Sequence, residues 1–376
     1  MKYTIGLLIL LQSMVCAREH ILSLGDLGSV HYIYDDQILL HIDRRSPSKE
    51  LMYRHSYTYN ADGLVIIESL IGDLGEIVYS ESGIIESPYH KEICERDEKQ
   101  NITRHIQDNI IREYGYNDLN ELITEAEPEE SCEYNCAGNV IRVGDVYFDY
   151  DENNRLVEAS SDDYEVTYTY DDTGRRTSKT VNGEQEFYGY FGINDILVVD
   201  SSGRIKELRI PGLAPHRDML RPIAIETPDA IYAPIHDIQS NIVKLIDIKT
   251  REVTSLALPD PFGNGLSKDA PTSWIFSGKY YDKEFDVVYF GHRYYSPKLK
   301  QWLSPDPAHQ TSDLYQYCFN NPFSYCDPDG QFVIFFPLVW AAGVTLTDVI
   351  FGTAVVAGVS WAGRQLPPPK GGGLKR

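Results

Sequence analysis

The sequence predicts a mainly β protein built from antiparallel strands. Tyrosine is the most abundant aromatic residue, with 27 Tyr against 13 Phe and 4 Trp, and it favours half-buried sheet surfaces. Short runs that alternate aromatic and polar residues end in clusters of Asp, Asn and Gly, the pattern of strands joined by tight turns. The chain holds only 4 Met, which also argues against a helical bundle.

Three similar hairpins recur along the chain. Alternating runs end at Tyr59, Tyr150 and Tyr170, and each is followed by an Asp- or Asn-containing turn. We predict the turns at 60–63, 151–154 and 171–174, where Gly or Asn supplies a positive φ. Such repeats predict an array in which each hairpin packs against its neighbours.

The stretch 91–123 departs from this pattern. It is rich in Glu, Arg, Asn and Ile, and its apolar residues lie near helical spacing, which predicts a helix. Those residues are Ile106, Ile110, Ile111 and Tyr114.

Residues 1–17 have the order of a signal peptide. Lys2 supplies a positive charge, residues 5–11 are apolar, and Ala17 is a small residue before the predicted cut. Cys16 also allows a lipoprotein signal, although Val15 before it is larger than usual there. We therefore expect an exported protein, either secreted or associated with the cell envelope.

Five cysteines remain after that cut, so at least one is a thiol or pairs between chains. Cys132 and Cys136 are close enough in sequence for a local disulfide, while free thiols are the alternative. A metal site is disfavoured because no second Cys/His pair with ligand spacing lies nearby. The sequence also lacks phosphate-binding and dinucleotide-binding signatures, so we predict no cofactor and no metal.

The net charge is −22, which opposes binding to nucleic acid or anionic lipid and favours solubility. We therefore predict no nucleic-acid partner. The C-terminal end reverses this bias, because Arg364, Lys370, Lys375 and Arg376 are basic.

Ordered motifs rich in Tyr, Asp, Pro and Gly occupy residues 229–331. They resemble, in order, the core segment of the RHS/YD-repeat family, and the upstream hairpins resemble its YD repeats. Gln239 stands where that family usually has Gly. The motifs are Ile-His-Asp-Ile-Gln-Ser at 235–240, Pro-Asp-Pro-Phe-Gly-Asn at 259–264, Phe-Ser-Gly-Lys-Tyr-Tyr-Asp at 276–282, Tyr-Phe-Gly-His-Arg-Tyr-Tyr at 289–295, Trp-Leu-Ser-Pro-Asp-Pro at 302–307, Leu-Tyr-Gln-Tyr-Cys-Phe-Asn-Asn-Pro at 314–322 and Asp-Pro-Asp-Gly at 327–330.

The resemblance implies a spiralling antiparallel sheet that forms a shell. We expect a degenerate YD-repeat region at 18–228, an RHS core at 229–331 that plugs the shell, and a tail at 332–376. In larger members of the family the shell encloses a toxic C-terminal domain, which the core releases by cutting the chain. The present chain is short for a closed shell, so the expectation is a partial one.

The resemblance also implies an intramolecular aspartyl protease. Its matching residues are Asp306, Asp327 and Arg293, and the matching cut lies between Gln331 and Phe332. Two carboxylates held together share a proton, so one activates water while the other protonates the scissile amide. The alternative is structural, since Asp-Pro also starts turns and the chain departs from the family. The first motif lacks its usual Gly, and Gln331 replaces the usual Leu.

Two histidines lie within or beside these motifs. His236 and His309 have no Ser or Cys partner in a nucleophile motif. We therefore interpret both as structural or surface residues.

The tail carries one charge, Asp348, between Phe332 and Ala362. This composition predicts an apolar helix over 332–361 that inserts into or lies on a membrane. The alternative is an apolar strand or helix hidden inside the shell.

Two functions fit these features. The first is a reduced carrier or effector of the polymorphic-toxin type, with a short membrane-active C-terminus and an immunity protein as a partner. The second is a non-enzymatic envelope or surface protein that binds a carbohydrate or another protein through its tyrosine-rich sheet.

Overall fold

The computed structural model describes residues 19–335 except for 36–37, 62–64, 81–83, 100, 120, 124–131, 193, 213–220 and 311. Their regular secondary structure is antiparallel β-sheet with three short 3-10 turns, which confirms the predicted mainly β class. The predicted signal peptide at 1–17 and residues 336–376 lie outside the described part of the chain.

The first sheet has ten strands, and each pairs antiparallel with the strand next to it in sequence. A short hairpin of Gly115–Tyr116 (β11) and Leu122–Ile123 (β12) follows it. The ten strands are β1 Glu19–Ser23, β2 Ser29–Asp35, β3 Ile38–Arg45, β4 Leu51–Tyr59, β5 Val65–Ser69, β6 Glu76–Tyr79, β7 Ile84–Glu86, β8 Lys91–Arg96, β9 Ile102–Gln107 and β10 Ile110–Glu113.

The second sheet has thirteen strands in the same sequential order. The predicted domain boundary after residue 228 falls between its strands β22 and β23, and this division stays a prediction. The strands are β13 Cys132–Tyr134, β14 Val140–Val143, β15 Val146–Tyr150, β16 Leu156–Ser160, β17 Glu165–Tyr170, β18 Arg176–Val181, β19 Glu184–Phe191, β20 Asn194–Asp200, β21 Ile205–Gly212, β22 Arg221–Glu226, β23 Ile231–His236, β24 Ile242–Asp247 and β25 Val253–Ser255.

The C-terminal segment, defined as residues 256–335, packs against both sheets. Phe276, Phe290, Tyr295 and Tyr317 share one core with the first sheet, and a second core joins this segment to β15–β17. Its strands are β26 Tyr280–Asp282, β27 Val287–Tyr289, β28 Tyr294–Ser296, β29 Gln301–Trp302, β30 Tyr325–Cys326 and β31 Ile334–Phe335.

The repeated hairpins use an aspartate at the start of each turn. Asp151 and Asp171 each accept the backbone N–H groups two and four residues further on, which closes the turn. Asn154 and Gly174 take the positive φ. Two predicted turns are therefore confirmed; at the third, β4 and β5 pair as expected, and residues 62–64 lie outside the described chain.

The helix predicted within 91–123 is wrong, because β8 to β12 cover this region. Asp108 and Asn109 both adopt positive φ and turn β9 back into β10. Ile110 and Ile111 are 48% and 54% exposed, whereas Glu92 and His105 face the interior. The apolar spacing was misleading because polar residues fill the buried face of these strands.

The described residues also bear on two further expectations, the tail helix and the local disulfide. Ile334–Phe335 pair with β30 as a strand, so the predicted tail helix does not begin at Phe332. Over the described residues, no helix is both long and apolar enough to cross a membrane. Cys136 is a free thiol, so the local disulfide with Cys132 is not formed.

Candidate functional site

Arg293 lies in the turn between β27 and β28. The segment 289–295 is not one continuous strand, because Gly291 has φ 118° and the Phe290 N–H bonds the Arg293 carbonyl. This turn directs the Arg293 side chain inward, where it is 3% exposed.

Asp306 follows β29 and is buried. Its carboxylate accepts the backbone N–H groups of Ala308 and Gln310, each at 3.0 Å, so it opens a turn. The chain then returns toward Asp327 without forming a strand at 314–319. Cys318, Phe319 and Asn320 all have positive φ and form a 3-10 turn, which excludes extended structure there.

Asp327 directly follows β30 and is fully buried. Its Oδ1 accepts the N–H of Gly330 at 2.7 Å and that of Asp329 at 3.3 Å. Gly330 has φ 78°, and a Cβ there would lie 3.1 Å from the Arg293 backbone nitrogen. The Asp-Pro-Asp-Gly motif therefore forms a tight loop pressed against the turn that carries Arg293.

The structure brings all three predicted residues together, with both aspartate side chains close to the Arg293 guanidinium group. Arg293 Nη1 lies 3.5 Å from Asp306 Oδ1, and Nη2 lies 3.2 Å from Asp327 Oδ2. The guanidinium carbon lies 4.1 Å from the centre of the Trp302 ring, which covers the site. The two aspartates therefore meet through Arg293, and their catalytic role stays a prediction.

Burial shifts the pKa values of Asp327 and of Arg293. Burial raises the pKa of Asp327 to about 6, although Arg293 and the backbone N–H groups oppose this rise. Burial also lowers the pKa of Arg293, while both aspartates act to raise it. A carboxyl group with this pKa holds a proton in mildly acidic solution.

The predicted cleavage position lies directly beside these residues. Arg293 Nε donates to the carbonyl of Gly330, and Asp329 Oδ1 accepts the N–H of Gln331 at 3.0 Å and that of Phe332 at 3.4 Å. Hydrogen bonds therefore hold the backbone from Gly330 to Phe332, which includes the amide group at the predicted cut.

Gln310 holds the chain on the downstream side. Its Oε1 accepts the Val333 N–H at 2.7 Å, and its Nε2 donates to the Val333 carbonyl at 3.4 Å. Sequence reasoning missed Gln310, Asp329 and Lys279, whose Nζ donates to the Pro328 carbonyl. The Asp-Pro-Asp-Gly motif contains Asp329 and the motif at 276–282 contains Lys279, but neither motif indicated these contacts, and no sequence signal pointed to Gln310.

The two histidines considered above lie elsewhere. His236 is buried at the end of β23, and burial holds its pKa well below the usual value. His309 is exposed.

Two antiparallel sheets of sequentially paired strands account for most of the strands in the described chain. Residues 29–324 match the profile of the Teneurin YD-shell family. This match spans most of the chain, and the protein therefore belongs to the Teneurin YD-shell family.

Several proteins resemble parts of the chain. The tRNA nuclease WapA of Bacillus subtilis is 27% identical over 221 residues, which are 54% of this chain and 9% of that protein. The toxin subunit YenC2 of Yersinia entomophaga is 42% identical over 67 residues, or 16% of this chain and 6% of that protein. Salivary gland surface protein 1 of Aedes aegypti is 30% identical over 108 residues, or 28% of this chain and 3% of that protein. The chain thus spans less than a tenth of these relatives.

Solved structures show a distant similarity. The crystal structure of TcdB2-TccC3-Cdc42 aligns with a TM-score of 0.40 and 17% identity, covering 81% of this chain and 18% of that one. The Tc holotoxin pore of Photorhabdus luminescens aligns with a TM-score of 0.40 and 18% identity, covering 80% of this chain and 18% of that one.

Proposed function

We propose that this protein is a toxin-type carrier whose residues 229–331 form an RHS core that plugs a partial shell and cuts the chain after Gln331. The observation that carries this proposal is Arg293, which contacts two buried aspartates and the carbonyl of Gly330. The relative named a toxin subunit supports the carrier assignment, although it matches only 16% of the chain.

The chemistry follows from the different environments of the two aspartates. Asp327, with its pKa near 6, supplies the proton, and Asp306 accepts one from water. The water oxygen adds to the Gln331 carbonyl carbon, and the proton of Asp327 reaches the Phe332 nitrogen as the C–N bond breaks. The products are a carboxylic acid at Gln331 and an amine at Phe332, and the proton taken up by Asp306 balances the one given by Asp327.

Arg293 has a second role in this scheme. Its Nη1 makes no hydrogen bond among the described residues, so it retains a donor that faces the carboxylates. A fixed donor of this kind stabilises the negative charge that develops on the Gln331 carbonyl oxygen when water attacks the carbonyl carbon.

The test compares the wild type with Asp327→Asn by mass spectrometry of the whole chain. We expect a fragment beginning at Phe332 in the wild type and none in the variant. Asp260→Asn is the matched control, because Asp260 also belongs to an Asp-Pro pair, accepts the N–H groups of its own turn and has a pKa raised by burial. An intact wild-type chain would contradict cleavage, and Gln331→Leu would then show whether the residue at the cut prevents it.

The second part of this proposal concerns export of the protein and the role of its tail. We propose that residues 1–17 direct export and that 332–361 contact a membrane, with an immunity protein as the partner of a toxic tail. Sequence composition supports this part. After carbonate extraction, the full chain should stay with the membranes, and a chain that stops at Gln331 should be released. Equal release of both chains would contradict membrane contact by the tail.

A surface-binding role is the second candidate. The relative named a salivary gland surface protein supports it over 28% of the chain. This candidate predicts an intact chain in every variant above and binding of a carbohydrate or protein that persists after Asp327→Asn.

A further inference from the structure

A cluster of metal-binding residue types lies on the inner face of the first sheet, apart from the Arg293 site. Glu92 and Cys94 share one face of β8, because alternate strand residues point the same way. His90 precedes β8 by one residue and continues that spacing. On β9, His105 lies directly opposite Cys94 in the antiparallel register.

The three strand residues approach each other closely. A Glu92 carboxylate oxygen, the Cys94 sulfur and a His105 ring nitrogen all lie within 4.8 Å of one another. Ligands bound to one zinc ion at about 2.0–2.3 Å are roughly 3.3–3.8 Å apart. Glu92 and His105 are hydrogen-bonded to each other in this structure, so an ion would have to separate this pair while Cys94 closes on it. Their exposures are 0%, 4% and 3%, which removes competition from bulk water.

His90 supplies an independent observation. It is 3% exposed, its Nε2 makes no hydrogen bond, and this atom lies 3.7 Å from Glu92 Oε2. Its other ring nitrogen, Nδ1, lies 3.0 Å from Asp108 Oδ2. A carboxylate on one ring nitrogen orients the other toward a metal, which is the common outer arrangement of histidine ligands.

The charges of the cluster also suit a divalent cation. Glu92 and a Cys94 thiolate would together neutralise a charge of +2 in this buried place. The Ile238 N–H donates to Glu92 Oε2 at 2.9 Å, which fixes the carboxylate.

We propose that Glu92, Cys94 and His105, with His90 as the fourth donor, bind one zinc ion. The thiolate and imidazole donors select zinc over calcium and magnesium, which prefer oxygen ligands. Because Glu92 also holds Ile238 in the turn between β23 and β24, the ion would join β8 and β9 to the second sheet.

The test uses full-length protein and Co²⁺ as a spectroscopic probe. Addition of one equivalent of Co²⁺ should produce a thiolate-to-cobalt band in the near ultraviolet and the strong visible bands of tetrahedral cobalt, and Zn²⁺ should remove both. Cys94→Ser should abolish the near-ultraviolet band and weaken zinc binding about tenfold or more. Cys136→Ser is the matched control and should leave both unchanged, since Cys136 is an exposed thiol outside the cluster.

A folding measurement separates loss of the site from loss of structure. Zinc should raise the melting temperature of the wild type and of Cys136→Ser, and it should not raise that of Cys94→Ser. The proposal is overturned if the wild type binds no stoichiometric cobalt, or if the same spectrum persists in Cys94→Ser. Because the wild type alone decides the first outcome, a variant that fails to fold does not prevent a decision.

Discussion

Arg293 shows how one buried side chain organises the loop around it. Its Nε bonds Gly330, its Nη2 contacts Asp327 and its Nη1 faces Asp306. Burying an arginine costs several kcal/mol unless charges and hydrogen bonds compensate for it. The three contacts therefore depend on one another, and removal of either aspartate changes the electrostatic environment of the other.

The titration of Asp327 gives a prediction for pH-dependent stability. Its folded pKa of about 6 lies above the reference value of 3.8. Asp327 therefore contributes stability that is fully present below about pH 4 and is lost as the pH rises through 6. Relative to Asp327→Asn, the wild type should lose roughly 2 kcal/mol of unfolding free energy between pH 4 and pH 7.

Urea unfolding of both proteins across this range measures that difference. Any loss of the contact with Arg293 shifts the variant by an amount that changes little with pH, so the slope isolates Asp327. The exposed Asp269 provides the control, because Asp269→Asn should follow the wild type at every pH. Parallel curves for wild type and Asp327→Asn would contradict the raised pKa.

Sequence motifs identified Arg293, Asp306 and Asp327, because an ordered series of motifs marks their positions. They could not identify Gln310, which acts on Val333 from a loop 23 residues away in sequence. The Glu92 cluster was invisible for a different reason. Its ligands occupy alternate strand positions and a cross-strand partner, and this spacing has no recognised metal signature.

At the scale of elements, three tyrosines each tie a hairpin to an earlier strand. The hydroxyl groups of Tyr116, Tyr170 and Tyr190 each donate to a backbone carbonyl 14 residues earlier. The rings pack on the sheet while the hydroxyl groups satisfy buried carbonyl groups. The abundance of tyrosine in the sequence thus reflects a repeated contact between neighbouring hairpins.

The turn aspartates give a prediction at the same scale. Asp171 Oδ1 accepts the N–H of Thr173 at 2.9 Å and that of Arg175 at 3.0 Å. Asp171→Ala leaves these groups without their acceptor and should lower the unfolding free energy by about 1–3 kcal/mol. Asp171→Asn keeps the Oδ1 acceptor and should lose less.

Chemical denaturation of the full chain measures both variants. Asp172→Ala is the control, since its exposed side chain is adjacent and should tolerate truncation. Equal effects of Asp171→Ala and Asp172→Ala would show that the turn does not depend on the carboxylate.

The same elements show where sequence reasoning succeeds. A turn beginning with Asp has a local cause, so the hairpins at 151–154 and 171–174 could be predicted. The strands of 91–123 could not, because their buried face carries His105 and Glu92 instead of apolar residues. The bends at Gly291 and at 318–320 depend on the packing of the whole segment.

At the scale of the molecule, buried ion pairs join the second sheet to the C-terminal segment. Arg176 Nη1 lies 2.6 Å from Asp282 Oδ2, and Lys179 Nζ lies 2.9 Å from Asp282 Oδ1. The Arg176 guanidinium also lies over the rings of Tyr188 and Tyr289. Asp282 therefore balances two cations of β18 at a junction that water does not reach.

Loss of that carboxylate should weaken the junction. Asp282→Asn leaves Arg176 with neutral neighbours, and we expect the unfolding free energy to fall by about 3–5 kcal/mol. Guanidinium unfolding provides the measurement, and limited proteolysis should show earlier cutting in the C-terminal segment. Asp145→Asn, at an exposed position, should match the wild type in both assays. Unchanged unfolding of Asp282→Asn would mean that aromatic packing alone holds the segment.

The strictly sequential order of both sheets has a consequence for synthesis on the ribosome. Each strand pairs with the one before it, so a strand can add to the growing sheet soon after it leaves the exit tunnel. The C-terminal segment emerges after both sheets and finds its binding surface already assembled. We therefore expect vectorial folding, in which the segment that carries Arg293 and Asp327 docks after the two sheets have formed. Any chemistry at that site would then await a finished scaffold.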